Sequence, residues 1–472
     1  MTTETPPALY AARDPVFPKA VSGPFRRLKW WIMAMTLGVY YLTPWIRWDR
    51  GPHLPDQAVL IDLDGRRFYF FWIEIWPQEF YYIAGLLIMS GIGLFLFTSV
   101  LGRVWCGYTC PQTVWVDLFQ HVERYFDGDR NNQFRLMKRK WDAHKIYRRA
   151  LKWSVWLLIA MTTGGAWVFY FADAPTLMVD LFTCQAHSIA YTTVAVLTAT
   201  TFVFGGFMRE QVCIYMCPWP RIQAAMLDEN SLTVTYKDWR GEPRGKHRKS
   251  ADADKLGDCI DCNACVAVCP TGVDIRDGQQ IGCITCALCI DACDDIMARI
   301  GKPRGLIDYC SLTDETLERA GQPGLSAIKR AIRPRTLIYT ALWASIGVGL
   351  VVALFLRDTI DLTVRHDRNP LFVTLSDGSI RNGLEVRIQN RNPDPNIFRL
   401  SAASDAYLRL TIQGEDAAAV TIPPDTTRKL RVFLTAPAGG NLPERIDVRL
   451  WVENLMTLER SPYDTYFQGP AK

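Results

Sequence analysis

Eight of the fourteen cysteines fall in two runs with the same spacing. The stretch "CIDCNACVAVCP" places its cysteines at intervals of two, two and three intervening residues, and "CITCALCIDAC" repeats these intervals from Cys283 onward. A two-residue spacer brings three thiolates onto one face of a [4Fe–4S] cube, while the fourth thiolate, one turn further on, reaches a second cube. The two runs therefore predict two [4Fe–4S] clusters.

The spacing resembles that of bacterial two-cluster ferredoxins, in which the fourth cysteine of each run ligates the other cluster. Asp294 stands where the first run has Pro270, which leaves the local turn geometry of the second run in question but not its ligation. Zinc is the alternative metal, because zinc sites also use cysteines two residues apart, but two complete four-cysteine runs favour iron–sulfur clusters. The predicted ligands are Cys259, Cys262, Cys265 and Cys293 for the first cluster, and Cys283, Cys286, Cys289 and Cys269 for the second.

Four further cysteines occur as two pairs, each followed by a proline: Cys106 and Cys110 in "RVWCGYTCPQTVW", and Cys213 and Cys217 in "EQVCIYMCPWPR". The apolar periodicity after Cys110 predicts a helix with Pro111 at its first position, where no N–H is needed. The helix dipole then favours a thiolate at Cys110, and a helical turn before it places Cys106 on the same face, so that both sulfurs can hold one soft ion. If the repeated unit packs against itself, four thiols converge; the alternative is ordinary packed cysteines in a reducing compartment.

Apolar blocks alternate with charged ones along the 472 residues, of which 49% are hydrophobic. Five blocks approach the roughly 20 residues that cross a bilayer core, and tryptophans flank the first of them. This pattern favours a membrane protein over a large soluble protein with buried helices. The predicted spans are 30–46, 81–100, 151–171, 188–207 and 337–356.

Lysine and arginine predict the orientation of these spans. They are dense in the N-terminal tail and after the second span, whereas residues 172–187 have none. The N-terminal tail and the cysteine-rich region after the fourth span are therefore predicted to be cytoplasmic, and five spans place the C-terminus outside. The tail is polar before the first apolar block, so we expect no cleavable signal peptide.

The C-terminal region alternates apolar and polar residues between clusters of Gly, Pro, Asn and Asp, as in "LEVRIQN" and "KLRVFLTAP". This pattern predicts an immunoglobulin-like β-sandwich of about seven short strands. It contains no cysteine, which favours a structural or docking role. The predicted fold is thus mixed: a tail at 1–29, a four-span membrane region at 30–208, a ferredoxin-like domain at 209–335, a fifth span at 336–357 and the sandwich at 358–472.

This combination of motifs resembles the cytochrome c oxidase accessory proteins of the CcoG/FixG/RdxA type over nearly the whole chain. The resemblance implies a multi-pass protein of the bacterial inner membrane, with a cytoplasmic ferredoxin domain and a periplasmic C-terminal domain. It implies reduction of Cu(II) to Cu(I) for assembly of cbb3-type cytochrome oxidases, with copper as substrate or transient ligand of Cys106, Cys110, Cys213 and Cys217. Implied partners are membrane lipid and a copper chaperone or oxidase assembly proteins.

Two other functions stay open: a quinol-linked ferredoxin-type subunit serving a periplasmic reductase, and a non-redox assembly factor. Plain members of the first group lack the terminal domain, and none of the six histidines lies within a predicted span as a haem ligand. A scaffold would leave eight ferredoxin cysteines without a role. Neither the electron donor nor the oligomeric state, a homo-oligomer included, can be read from the residues, and no motif points to nucleic acid.

Three residues outside these motifs have side chains of the metal-binding types: Cys184, His187 and Cys310. Cys184 and His187 lie at a predicted outer boundary, where they either meet incoming copper or simply pack. Cys310 stands alone, which favours a structural role.

Overall fold

The computed structural model describes residues 15–51, 54–245, 256–357, 360–390, 394–424, 426–439 and 442–470. The chain forms two compact units: one contains the residues up to Arg47 together with Gln57–Leu350, and the other contains Trp48–Asp56 and the chain from Val351 onward. The predicted tail 1–29 lies outside the described residues up to position 14.

The helices account for most of the first unit. Several are short turns that flank the cysteine motifs, and six have 14 or more residues. In chain order they are α1 (Pro24–Leu42), α2 (Tyr81–Leu101), α3 (Val104–Tyr108), α4 (Pro111–Asp127), α5 (Arg130–Lys138), α6 (Ala143–Val168), α7 (Ala174–Phe182), α8 (Ser188–Thr201), α9 (Trp219–Met226), α10 (Asp238–Gly241), α11 (Ala264–Val268), α12 (Leu288–Arg299), α13 (Leu312–Arg319), α14 (Ala327–Ala331) and α15 (Pro334–Phe355).

All five predicted spans overlap long helices, but only three helices in the described part of the chain are long and apolar enough to cross a membrane. These are Tyr81–Leu101, Ser188–Met208 and Pro334–Phe355, the second of which continues α8 through a π-helical segment, Phe202–Met208. The remaining two, α1 and α6, carry several lysines and arginines in their first turns, which lowers their mean hydropathy. The finding thus differs from the predicted count of five.

A buried charge network ties α4 to α6 and to the start of the second cysteine motif. Lys152 on α6 is fully buried, and its Nζ lies 3.0 Å from Glu123 Oε1 and 2.6 Å from Asp127 Oδ2. Arg209 Nη2 lies 2.7 Å from Glu123 Oε2. Burial raises the pKa of Glu123, but Arg209 and Lys152 outweigh it, so the net shift is downward. The apolar periodicity of α4 did not indicate that the helix also buries the charged residues Glu123 and Asp127.

The first helix is held by the cysteine-rich region. Its N-cap residue, Gly23, has no side chain to accept from the free N–H groups of the first turn. Asp291 on α12 takes this role: its carboxylate accepts from the backbone N–H of Phe25 at 3.3 Å and of Arg26 at 2.7 Å. The carboxylate also complements the positive end of the helix dipole.

Two small antiparallel sheets complete the first unit. The first contains β1 (Val59–Asp62), β2 (Arg67–Phe70) and β3 (Ile73–Ile75), in a segment predicted only as a loop. The second pairs β4 (Thr233–Tyr236) with β5 (Ile307–Cys310). Val234 and Ile307 from this pair pack in one buried cluster with Cys259, Cys265 and Cys293.

The C-terminal unit contains two antiparallel sheets around an apolar core. The strand orders are β10-β12-β8-β6, with β7 on β8, and β11-β9-β13-β14. Phe398, Val432, Val452 and Phe467 are fully buried between the sheets. The described residues give nine strands rather than about seven, because two of them, with two and three residues, are too short to show alternation. The strands are β6 (Ile360–His366), β7 (Val373–Thr374), β8 (Ile380–Asn390), β9 (Asn396–Ser404), β10 (Arg409–Ile412), β11 (Val420–Ile422), β12 (Thr427–Ala436), β13 (Arg445–Asn454) and β14 (Arg460–Gln468).

Candidate metal centres

The two ferredoxin-like runs have the same backbone conformation around their middle cysteines. Asp261 and Asn263 in the first run and Thr285 and Ala287 in the second all have φ between 53° and 59°, at equivalent positions around the middle cysteine. A left-handed residue other than glycine costs roughly 1–2 kcal/mol, and β-branched Thr285 is an outlier even among these. Strain of this kind concentrates at functional sites, and turns of this type aim successive N–H groups at anions, as around many iron–sulfur clusters.

The cysteines assigned to the second cluster line one cavity. Cys269, Cys283, Cys286 and Cys289 line it, and its other walls are mostly apolar, with Val234, Ile275 and Leu288 among them. Thr271 and one cysteine of the first-cluster set, Cys265, also reach this cavity. Burial raises the pKa of the Cys286 thiol to about 11 and also raises the pKa values of Cys283 and Cys289. Four free thiols around an apolar cavity fit a [4Fe–4S] cluster, because buried thiolates need a metal core to compensate their charge. When bound, such a cluster supplies single-electron transfer.

Cys293 lies with the first run, although it belongs to the second. Burial raises its pKa to about 12, and the nearby Cys265, Asp294, Cys262 and Cys259 add to the shift. The last cysteine of the second run thus lies near the first set, and the last cysteine of the first run, Cys269, lines the cavity of the second set. Cys262 is exposed, whereas Cys259, Cys265 and Cys293 are buried.

The second run departs from the first at Asp294, which stands where the first run has Pro270. In the first run the helix α11 ends at Val268, and Pro270 follows. In the second run α12 continues to Arg299, and the Asp294 carboxylate accepts from the Gly305 N–H at 2.9 Å. The second run is therefore a longer helix with the same cysteine spacing.

The first Cys-x3-Cys-Pro motif has the predicted helix geometry. Cys110 is the N-cap of α4 and Pro111 its first residue, and Cys106 lies in the preceding helical turn, α3. Cys106 is buried, and its Sγ donates to Gln223 Oε1 at 2.9 Å. Burial raises the pKa of Cys106 to about 11, with a smaller opposing effect from Arg103.

The second motif repeats the bend. Cys217 has φ −79° and ψ 122°, close to the φ −56° and ψ 129° of Cys110, although the turn before it, Val212–Met216, is π-helical. A residue from each motif reaches the other: Gln112 Nε2 donates to the Arg209 carbonyl at 3.2 Å, and Gln223 accepts from Cys106.

The four thiols of the two motifs lie near one another. Burial raises the pKa of Cys213 to about 12, and Cys110, Cys106 and Cys217 contribute in the same direction. We call Cys106, Cys110, Cys213 and Cys217 the thiol group. Within the described ranges, no three His, Cys, Asp or Glu side chains stand at the spacing of a single bound metal ion.

The part of the first motif that contains Cys106 packs against the loop that carries Cys286. A Cβ added to Gly107 would lie 2.6 Å from the Ile284 carbonyl oxygen and 3.0 Å from Cys286 Cα, so only glycine permits this approach. Tyr108 Oη donates to the Cys286 carbonyl at 3.2 Å, and Cys106 packs in one buried cluster with Cys286. The sequence did not identify four residues of this site: Arg103, Gly107, Tyr108 and Gln223. The sequence signal for Arg103 was that an arginine precedes each of the two motifs.

The other three candidate residues lie apart from this site. Cys184 is exposed, with φ 61°. His187 caps α8, since its Nδ1 accepts from the Ile189 N–H at 3.4 Å. Cys310 is buried in β5, where its Sγ donates to the Ser311 carbonyl at 3.4 Å. The contacts of His187 and Cys310 are those of structural residues.

Three family models match the chain. One described as a 4Fe-4S dicluster domain matches residues 208–312, and one described as a 4Fe-4S binding domain matches residues 83–143, whose only cysteines are Cys106 and Cys110. A third, described as an IG-like fold at the C-terminus of FixG, matches residues 350–470. Fold and sites therefore define an iron–sulfur electron-transfer protein with apolar helices of membrane-spanning length and an immunoglobulin-like domain.

Close relatives give the family. Protein RdxB of Cereibacter sphaeroides is 61% identical over 98% of both chains, and protein RdxA of the same organism is 61% identical over 92% of both. Nitrogen fixation protein FixG of Rhizobium meliloti is 53% identical over 98% of this chain and 94% of its own length. The chain belongs to the FixG/RdxA family.

A crystal structure of a FixG-related protein from Vibrio parahaemolyticus covers 24% of this chain and 97% of its own, with 14% identity and a TM-score of 0.21. At that TM-score the match adds nothing to the fold assignment.

Proposed function

We propose that the protein reduces Cu(II) to Cu(I) at the thiol group, with electrons from its iron–sulfur region, and that the Cu(I) serves assembly of a cbb3-type cytochrome c oxidase. Each Cu(II) ion takes up one electron from the iron–sulfur region and becomes Cu(I). The reaction requires no copper–sulfur bond to break. Thiolates are soft ligands that select Cu(I), so the same residues retain the product until a partner takes it.

One observation carries the proposal: Cys106 of the thiol group packs in one buried cluster with Cys286, a predicted ligand of the second cluster. Gly107, between Cys106 and Cys110, leaves no room for a side chain against the backbone of Ile284 and Cys286. Two sulfur sites held this close are suited to exchanging single electrons. A thiol group with a merely structural role would not need contact with a cluster ligand.

The proposal includes the arrangement across the membrane. The thiol group and the ferredoxin-like region lie on the cytoplasmic side, and the immunoglobulin-like domain lies in the periplasm of a bacterial inner-membrane protein. Helices α1 and α6 are the two remaining spans, which brings the total to five. The long Lys and Arg side chains at their basic ends can extend to the lipid headgroups. Lipid and a copper chaperone or oxidase assembly proteins are the partners.

The test compares matched cysteine variants in an anaerobic assay in which a colorimetric chelator captures Cu(I) after Cu(II) is added to reduced protein. Replacing Cys110 and Cys217 by Ser should slow copper reduction and weaken copper binding while both clusters assemble. Cys286→Ser should remove a cluster and the electron supply but leave copper binding largely intact. Cys184→Ser, an exposed cysteine outside the group, is the control. If the double variant reduces copper as fast as the parent, the thiol group is not the copper site.

A second candidate function rests on the family match to residues 83–143. If Cys106, Cys110, Cys213 and Cys217 together hold a third [4Fe–4S] cluster, the protein passes electrons to a redox partner, such as a quinol-linked reductase, instead of to copper. Metal and sulfide analysis separates the two functions, because this candidate requires about twelve iron atoms per chain and the copper reductase about eight.

A further inference from the structure

Arg103 is a buried cation between α2 and α3, next to the first cysteine motif. Its side chain is 4% exposed. Its Nη1 donates to the Ile281 carbonyl at 2.6 Å, while its Nε has no hydrogen-bond partner among the described residues. A carbonyl oxygen satisfies one N–H but does not neutralise the charge, so the cation requires an anion nearby.

The corresponding arginine of the second motif shows what such a partner looks like. Arg209 is also buried, and its guanidinium pairs with Glu123 at 2.7 Å. None of the ion pairs in the described part of the chain includes Arg103. Lys29, a cation near Cys286, lies 4.0 Å from the Asp117 carboxylate. Of these three cations, Arg103 alone has no carboxylate.

Cysteines, rather than a carboxylate, lie beside Arg103. Arg103 and Cys283 line the same cavity, and Arg103 is the N-cap residue of α3, the helical turn that contains Cys106. Arg103 acts electrostatically on Cys106 and Cys213 of the thiol group and on Cys283 of the second-cluster set. In each case its charge favours the thiolate, against the effect of burial. The Ile281 carbonyl that fixes its guanidinium belongs to the same loop as Cys283.

We infer that Arg103 is a positioning residue, the shared counter-cation of two anionic metal–thiolate centres, one at the thiol group and one at the second-cluster cavity. Reduction adds a negative charge to either centre, so a fixed cation between them favours the reduced state of each. The part that concerns copper rests on the proposed function; the part that concerns the cluster does not.

The test measures potentials in copper-free protein by a redox titration followed by electron paramagnetic resonance. Arg103→Gln should make the reduced state of one cluster about tenfold less favourable, a midpoint potential about 59 mV lower, while Arg103→Lys should keep the parent potential. Arg221→Gln, which removes a charge from an exposed position on α9, should change nothing. An unchanged potential in Arg103→Gln overturns the inference.

Two further outcomes also decide it. If the Arg103→Gln protein does not accumulate, the potential of Arg103→Lys alone decides. A potential equal to that of the parent supports the counter-cation role, and a potential about 59 mV lower refutes it. With copper added, Arg103→Gln should retain and reduce copper about tenfold less well. If the parent itself reduces no copper, the proposed function fails, while the shift in the copper-free potential still stands as support for Arg103.

Discussion

Replacing Gly107 by alanine tests whether contact between the thiol group and the second-cluster loop matters. The new Cβ would stand 2.6 Å from the Ile284 carbonyl oxygen, 3.0 Å from Cys286 Cα and 3.1 Å from Cys286 N. All three are backbone atoms, so no flexible side chain can turn away, and the loop or the motif has to move.

The size of the effect follows from two opposing contributions. Overpacking a tight site costs about 1–3 kcal/mol. Replacing glycine by alanine within the helical turn α3 offsets about 1 kcal/mol of this cost, because alanine has the higher helix propensity. The packing of Gly107 against the Ile284–Cys286 backbone is therefore weakened by up to about 2 kcal/mol. Since about 1.4 kcal/mol is tenfold, the ratio of molecules with this contact formed to molecules with it broken falls up to about 30-fold.

The assay is the rate of Cu(I) capture from reduced protein, with iron and sulfide content measured on the same sample. Gly107→Ala should slow copper reduction while the iron content stays that of the parent. Gly91→Ala in α2, where an added Cβ meets nothing within 4 Å, controls for a new methyl group on a helix. If both variants reduce copper at the parent rate, the close approach at Gly107 does not serve electron transfer and the reasoning fails.

The remaining predictions concern the clusters, the orientation and the C-terminal domain. Anaerobically purified protein should contain about eight iron and eight acid-labile sulfide per chain, and stoichiometric zinc without sulfide would contradict the cluster assignment. A reporter active only in the cytoplasm should work near Gly245 and one active only outside should work after Lys472; the reverse pattern would move the thiol group to the outer face. Phe398→Ala should destabilise the β-sandwich by about 3–5 kcal/mol and speed its proteolysis while the iron content is unchanged, whereas exposed Tyr407→Ala should have little effect.

The sequence predicted those parts that depend on local spacing. Cysteine intervals and the position of Pro111 defined the bend at Cys110, and alternation defined most strands of the sandwich. The three helices of membrane-spanning length were found for the same reason, since a continuous apolar run needs no knowledge of its neighbours.

What the sequence did not predict depends on residues far apart in the chain. Gly107 meets Ile284 and Cys286 only after the ferredoxin-like region packs on the first motif, and nothing in "CGYTC" announces that contact. Lys152 lies within a predicted span, yet it is fully buried between two carboxylates of α4, a charge pairing that hydropathy does not register. The segment with β1 to β3 has strands of only three or four residues, too short for a period to be recognised.

The carboxylate of Asp291 has a consequence for how the protein meets its partners. It joins the first turn of α1 to α12, the helix that carries Cys289 and Cys293. The ferredoxin-like region is therefore attached to a helix that lies more than 260 residues away in the sequence, in addition to its own chain connections. A carrier that swings on a flexible linker can deliver electrons over a distance, but a carrier fixed in this way cannot. Donor and acceptor must instead come to stationary sites, and their order of arrival, rather than the reach of a tether, sets the sequence of events.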